Sequence, residues 1–273
     1  MTNLPTFTAG LFLTCFSWFA PASAAPVAAF ASPVVEEAPA AAGLSATARM
    51  AYTAAFEQHV ALTYVRAGLT AAGVPLDVYR KALVGFYNLQ QQGTISSTCH
   101  TITIVDFSRS STRERLWVVD LAQGRLLHHT LVAHGKNTGE EYAQTFSNRE
   151  GSEMSSLGFY VTGQTYQGKH GLSLKLHGVD QGYNTNALGR AVVVHGAEYV
   201  SQEFIRQHGR LGRSQGCPAL PVAQTPGIIR SIKGGTVLFA NGPATSAYRS
   251  QLLLLDSALL AFAQSKGLVA RAS

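Results

Sequence analysis

The sequence predicts a mostly β domain with a helical N-terminal segment before it and a C-terminal helix after it. Three observations carry that prediction. Between about residues 100 and 240 apolar residues repeat every second position, whereas over 45–92 and 247–264 they recur near every third or fourth. Glycine supplies 26 of the 273 residues and falls with Asn and Ser between the alternating runs, where turns are needed. Hydrophobic residues make up 46% of the chain and charged ones 13%, enough apolar material for a core and too little charge for a disordered chain.

Taken in order, the first residues read as an address. Residues 11–20, LFLTCFSWFA, form an apolar run of signal-peptide length, too short to span a bilayer, and Ala22-Ser23-Ala24 offers a cleavage site. A signal peptide over 1–24 and export to the periplasm or cell envelope are expected, although no Lys or Arg precedes the run. Residues 25–44 are Ala- and Pro-rich and are expected to be a linker. A helical segment follows over 45–93, with Val60, Leu62, Val65 and Leu69 in its first stripe. Gly73 ends that run, Pro75 opens a second helix and Gly93 stops it. Strands are expected within 100–107, 115–121, 125–134, 157–166, 172–179, 190–197 and 235–240. In the fifth, Leu172, Leu174 and Leu176 alternate with Ser173, Lys175 and His177, as in a strand with one buried face. Short helices are expected near 201–208 and 222–231. The β domain thus occupies 94–242, and a helical tail occupies 243–273, where the run from Leu252 to Leu255 needs a surface to pack on.

The net charge of +6 suits an anionic partner such as a wall polymer. Lys and Arg are spread along the chain without a basic stripe or interleaved aromatics, so nucleic acid is not expected as a partner. The nine histidines show no HExxH or CxxC spacing, and strand alternation sends His128 and His129 to opposite faces; no metal and no organic cofactor are expected. His134 and His177 each precede a glycine at a strand end and read as surface histidines. Beyond the signal two cysteines remain. Cys99 reads as a small apolar residue at a strand start, and a Cys99–Cys217 disulfide stays open for an exported chain.

Residues 192–220 hold the chemistry. His195-Gly196 closes an apolar strand, so an imidazole can project from a rigid edge. Ser214-Gln215-Gly216-Cys217 follows about twenty residues on. Gly216 permits a tight turn with positive φ, and a Cys after it can sit beside exposed backbone N–H groups that stabilise an oxyanion. A thiolate is the strongest nucleophile among side chains, and a nearby His can generate it. Cys217 and His195 are therefore a candidate nucleophile and base for acyl transfer, with a raised thiolate fraction expected at neutral pH. Arg213 and Arg210 could receive a substrate carboxylate through a bidentate contact. Tyr199 could donate to substrate, although a packing role fits it as well.

This stretch resembles the YkuD-type murein L,D-transpeptidase catalytic domain, whose signature is His-Gly, a gap, and Ser/Thr-x-Gly-Cys. The resemblance extends through TIVDFSRSS at 103–111, TLVAHGKNTG at 130–139, FSNREGS at 146–152, SSLGFYVTGQTYQGKHGLSLKL at 155–176 and GRLGRSQGCPALP at 209–221, covering about 75–242. It implies a β-sandwich or barrel and a reaction on peptidoglycan stem peptides. Cys217 would form a thioester with the tripeptide, release D-alanine, and pass the acyl group to an amine of another stem or of a protein acceptor. His195 would be the base, the Gly196 carbonyl would orient it, Gly216 and Cys217 N–H groups would form the oxyanion hole, and Ser214 would hold the turn. Two departures stand out: eighteen residues separate His195 from Ser214, and Pro218 replaces a residue with an N–H just after the nucleophile. A hydrolase on the same scaffold and a non-catalytic wall-binding protein remain the alternatives.

Overall fold

The computed structural model describes Met1 and residues 44–268, so the expected signal peptide and linker lie almost wholly outside the described residues. Helix α1 (Ala46–Arg66) starts where the Ser45 hydroxyl accepts the Ala48 N–H, an N-cap. It stops six residues earlier than its apolar stripe suggests, because the chain turns left-handed at Gly68 with φ 66°. Helix α2 (Leu76–Gln91) has Pro75 at its N-cap, and Gly93 at φ 66° lies just past its end. With α5 (Leu255–Ser265) these form a helical layer, in which the Phe56 ring stands edge-on to Tyr87 at 6.1 Å and to Phe262 at 5.5 Å.

Eight strands follow: β1 (Thr101–Asp106), β2 (Leu116–Asp120), β3 (Arg125–Thr130), β4 (Gly158–Gly168), β5 (Gly171–Gly178), β6 (Val193–Gly196), β7 (Ala219–Leu220) and β8 (Val237–Asn241). They form one sheet in the order β3-β2-β1-β8-β4-β5-β6-β7, antiparallel except for the pairs β1–β8 and β6–β7. Past β3 the chain bridges to the far edge, where the Ala133 N–H donates to Ala219 O at 2.9 Å. The sheet thereby nearly closes into a barrel.

Alternation sorts the side chains into two cores. Val105, Leu116, Val118, Tyr160, Leu174, Leu176, Leu238 and Ala240 point inward and meet Ile228, Ile229 and Ile232 of helix α4 (Thr225–Ile232). Ile102, Ile104, Trp117, Val119, Phe159, Val237 and Phe239 point outward and are covered by the helical layer. Strands β1, β2 and β8 are therefore buried on both faces. On β5, Leu174 and Leu176 are buried while Lys175 and His177 are exposed, as the alternation predicts, but the pattern fails at the start of the strand, where Ser173 is buried and Leu172 only half-buried. Gly85 of α2 lies directly against the Phe159 ring, and a Cβ there would stand 2.0 Å from its Cζ. In the tail, Leu252 is buried against the helical layer, whereas Leu254 stays half exposed. Strand β7 has only two residues and was invisible to a period-two pattern.

Candidate active site

Strand register decides what stands beside the histidine. His195 pairs with Ala219 and Gly196 with Leu220, in parallel. Two residues back on each strand, Cys217 comes level with Val193, whose N–H donates to Cys217 Sγ at 3.4 Å. On its other side the thiol lies 3.7 Å from Ala191 O. The two candidate residues thus share one edge of the sheet. Among the described residues no hydrogen bond joins Sγ to the imidazole.

His195 is 4% exposed. Its Nδ1 lies 2.9 Å from Gly196 O; this contact assigns the proton to Nδ1 and leaves the Nε2 lone pair free. Burial holds the imidazole below its ordinary pKa, and the charges of His170 and Lys169 add to that, against the upward pull of the Gly196 carbonyl. At pH 7 the ring is a neutral base. The cysteine departs from expectation. Burial pushes the Cys217 thiol up, and the Val193 N–H, Arg190 and Lys169 pull it back only in part. The free protein therefore holds a thiol rather than an enriched thiolate.

The turn carrying Cys217 is tied on several sides. Ser214 Oγ donates to Cys217 O at 2.6 Å and accepts the Gly216 N–H at 3.0 Å. The Ser214 N–H donates to His134 O at 2.9 Å, and the Lys136 N–H donates to Ser214 O at 2.8 Å. Gly216 has φ 119°, and a Cβ there would stand 2.7 Å from Met154 O, so both backbone angle and space require glycine. The part expected of the Gly216 N–H needs correction. Ser214 closes a hydroxyl turn on that N–H, which takes it from an oxyanion hole. The Cys217 N–H has no acceptor among the described residues, and it is the donor left for an oxyanion.

Arg213 also differs from expectation. Its Nη1 binds Glu140 Oε1 and lies 3.2 Å from Lys136 O, while Arg210 Nε holds the other Glu140 oxygen at 2.9 Å. One surface carboxylate thus occupies both guanidinium groups that were candidates for substrate. Tyr199 packs over Gly212, and burial, followed by the Cys217 charge, raises its phenol to about 12. It packs as expected and stays a protonated donor near the thiol.

Three supporting groups escaped the sequence reading. Arg190 donates from Nη1 to Ser147 O at 2.7 Å and to Ser156 Oγ, and from Nη2 to Met154 O at 2.6 Å and Ser152 Oγ at 3.2 Å. It holds segment 147–156 against the Gly216 turn. Ser155 Oγ donates to Gly216 O at 3.2 Å and accepts the Gly135 N–H at 3.0 Å. His170, at the tip of the β4–β5 hairpin, stacks on the His195 ring with centroids 4.5 Å apart and planes 28° from parallel. Nothing in the spacing of one Arg, one Ser or one His singles these residues out.

Other histidines sort as follows. His134 is buried, not on the surface, because the chain past β3 runs inside to close the barrel. Its Nδ1 accepts from Arg115 Nη2 at 2.8 Å, its Nε2 lies 3.2 Å from Gly139 O, and burial and then Arg115 lower it to about 4. His177 is exposed as expected. His128 meets Ser231 of α4 at 2.8 Å while His129 stacks on Trp117 at 5.4 Å, so the two do face opposite ways. Cys99 and Cys217 are both free thiols, which removes the disulfide alternative.

A family model described as the L,D-transpeptidase catalytic domain, YkuD_2, matches residues 70–241. Among solved structures, the chain is similar to an L,D-transpeptidase from Mycobacterium smegmatis at 12% identity and TM-score 0.33, over 53% of this chain and 59% of that one. It is similar to the L,D-transpeptidase LdtMt1 in complex with imipenem at 13% identity and TM-score 0.32, over 52% of this chain and 59% of that one. A third, an L,D-transpeptidase (Yku) from Stackebrandtia nassauensis, is 15% identical with TM-score 0.32, over 58% of this chain and 67% of that one. The chain thus spans about three fifths of the length of the first two. No curated protein matches it.

Proposed function

Because this chain belongs to the YkuD_2 L,D-transpeptidase catalytic domain family, we propose that it is an exported, cysteine-dependent acyltransferase acting on peptidoglycan stem peptides. The observation that carries this reading is the pairing of one tautomer with one register. Gly196 O fixes the proton of His195 on Nδ1, and the N–H that holds Cys217 Sγ lies two residues back on the same strand. A base with a free Nε2 therefore shares an edge with a thiol that needs deprotonation.

In this mechanism His195 Nε2 takes the Cys217 proton as the sulfur attacks the carbonyl carbon before the terminal D-alanine. The oxyanion faces the Cys217 N–H. The C–N bond breaks, His195 returns the proton to the leaving amine, and a thioester remains. An acceptor amine then attacks the thioester and gives a proton to His195. The C–S bond breaks, and that proton returns to the sulfur. No metal or organic cofactor enters these steps. The acceptor is an amine of a neighbouring stem or of a protein. The apolar run at 11–20 supports export, which would bring the enzyme beside its polymer.

The test is mass spectrometry of products from the chain incubated with purified disaccharide-tetrapeptide, with Cys217→Ala alongside. A cross-linked dimer lacking one D-alanine, absent with the variant, is the expected result. Cys217-dependent tripeptide without dimer would move the reading to a carboxypeptidase on the same scaffold. Equal products from both proteins would refute a cysteine mechanism.

A further inference from the structure

The cations around Cys217 differ in what they already bind. Arg213 and Arg210 share Glu140. Arg190 has its fork on two carbonyls and two hydroxyls. Lys136 lies 2.6 Å from Glu153. Lys169 is different: among the described residues no acid or carbonyl engages its ammonium. Its backbone lies in the two-residue turn between Gly168 and Gly171, which pair across the hairpin. The next residue, His170, rests on the His195 ring at 4.5 Å and so fixes the tip beside the base. From there the Lys169 charge acts on both His195 and Cys217.

We propose that this hairpin tip is a carboxylate-binding subsite: Lys169 receives a carboxylate on the molecule that Cys217 attacks, and His170 holds the tip in place by its stack on His195. The proposal rests on Cys217 being the nucleophile of the reaction above and deepens it. In that reaction the anion is the terminal carboxylate of the donor, one residue beyond the scissile carbonyl. The subsite therefore selects a free chain end over an amidated or extended one. A surface lysine already paired to an acid could not make this distinction; one without an acid partner among the described residues, on a tip that His170 holds against His195, can.

Two alkylating agents of nearly equal size test this on the full chain. Iodoacetate carries a carboxylate and iodoacetamide does not, and the ratio of their rates at Cys217 is read by peptide mass spectrometry, with Cys99 as the reference thiol. In Lys169→Met the ratio is expected to fall about threefold to fivefold, the size of one solvent-facing ion pair. Lys169→Arg retains it, His170→Ala loses it, His170→Phe keeps it, and the ratio at Cys99 does not move. A wild-type ratio at Cys217 in Lys169→Met overturns the proposal. With tetrapeptide donor, wild type is expected to prefer the free acid over the C-terminal amide, and Lys169→Met to use them equally. If wild type releases no D-alanine, the proposed reaction fails while the alkylation ratio still decides the subsite.

Discussion

Arg190→Met removes a guanidinium that ties segment 147–156 to the catalytic turn, and the structure sets the size of the loss. The side chain makes four hydrogen bonds, two of them to backbone carbonyls, Ser147 O at 2.7 Å and Met154 O at 2.6 Å. A hydrogen bond to a charged group contributes about 1.5–3 kcal/mol when buried. Arg190 is only partly buried, so water replaces part of what is lost. A net destabilisation of about 3 kcal/mol is expected for the four together, measured as the shift in a urea unfolding curve. The second consequence falls on the thiol. Arg190 is among the groups that hold the Cys217 thiol down against burial, so removing it raises that thiol further. The thiolate fraction near neutrality is expected to fall with it. Iodoacetamide modification of Cys217 at pH 7.5 reads it directly. Arg190→Lys keeps the charge without the fork and is expected to recover more of the reactivity than of the stability. A methionine variant with the wild-type unfolding midpoint and alkylation rate would show that segment 147–156 holds the turn unaided.

Ser214→Ala leaves the Gly216 N–H and the Cys217 carbonyl without partners in a site where Ser214 is 6% exposed, at about 1–3 kcal/mol each; Ser214→Thr is expected to retain both activity and unfolding midpoint, and equal loss in both variants would count against the hydroxyl turn. Gly85→Ala gains about 1 kcal/mol of helix propensity and loses about 1–3 to overpacking on Phe159, so its melting temperature is expected to drop rather than rise. Alkylation of Cys217 is expected to climb through pH 8.5 without levelling off, because burial raises the thiol; a plateau already reached at pH 7 would indicate a resting ion pair with His195 instead. His134 is held near 4 in the fold against an ordinary 6.5, so the unfolded chain binds the extra proton between those values. Stability is therefore full above pH 6.5 and falls as pH drops towards 4, by up to about 3 kcal/mol; His134→Asn should flatten that decline in urea titrations at pH 4.5 and 7.

Much of the fold was legible because the cues were local. Pro75, Gly93 and Ser201 mark helix ends at the positions where α2 and helix α3 (Gln202–His208) begin or stop. Period-two alternation found seven strands. It missed β7, since two residues cannot display a period, and β7 is the strand that follows the nucleophile. The site was legible to the same depth. His195, Gly196, Ser214 and Cys217 fall in two short motifs within 192–220, and register brings the two onto one edge. What escaped depends on long-range closure. Arg213 reads as free until Glu140 is brought to it from 73 residues away. The Gly216 N–H reads as an oxyanion donor until the rotamer of Ser214 captures it. His170 reads as a loop residue until the hairpin folds over His195.

That dependence on closure has a physical centre. A two-residue strand cannot hold its own register, so β7 is positioned by what it closes against. On one side is β6, and on the other is the segment Val132–His134. That segment is pinned by Arg115, whose buried guanidinium donates to Val132 O at 3.1 and 3.0 Å and to His134 Nδ1 at 2.8 Å. Burial lowers Arg115 to about 9, which still leaves it charged at neutral pH, and among the described residues no carboxylate is in hydrogen-bond contact with it. His134 can accept from it only while neutral. Protonation of His134 would remove the acceptor and set two cations side by side in a dry interior. The same segment's carbonyl at His134 receives the Ser214 N–H of the catalytic turn at 2.9 Å. Acid is therefore expected to open the barrel at its seam, so that Cys217 alkylation changes at a higher pH than the global unfolding of the sheet, whose β1–β8 centre is buried on both faces; a single coincident transition would refute this order.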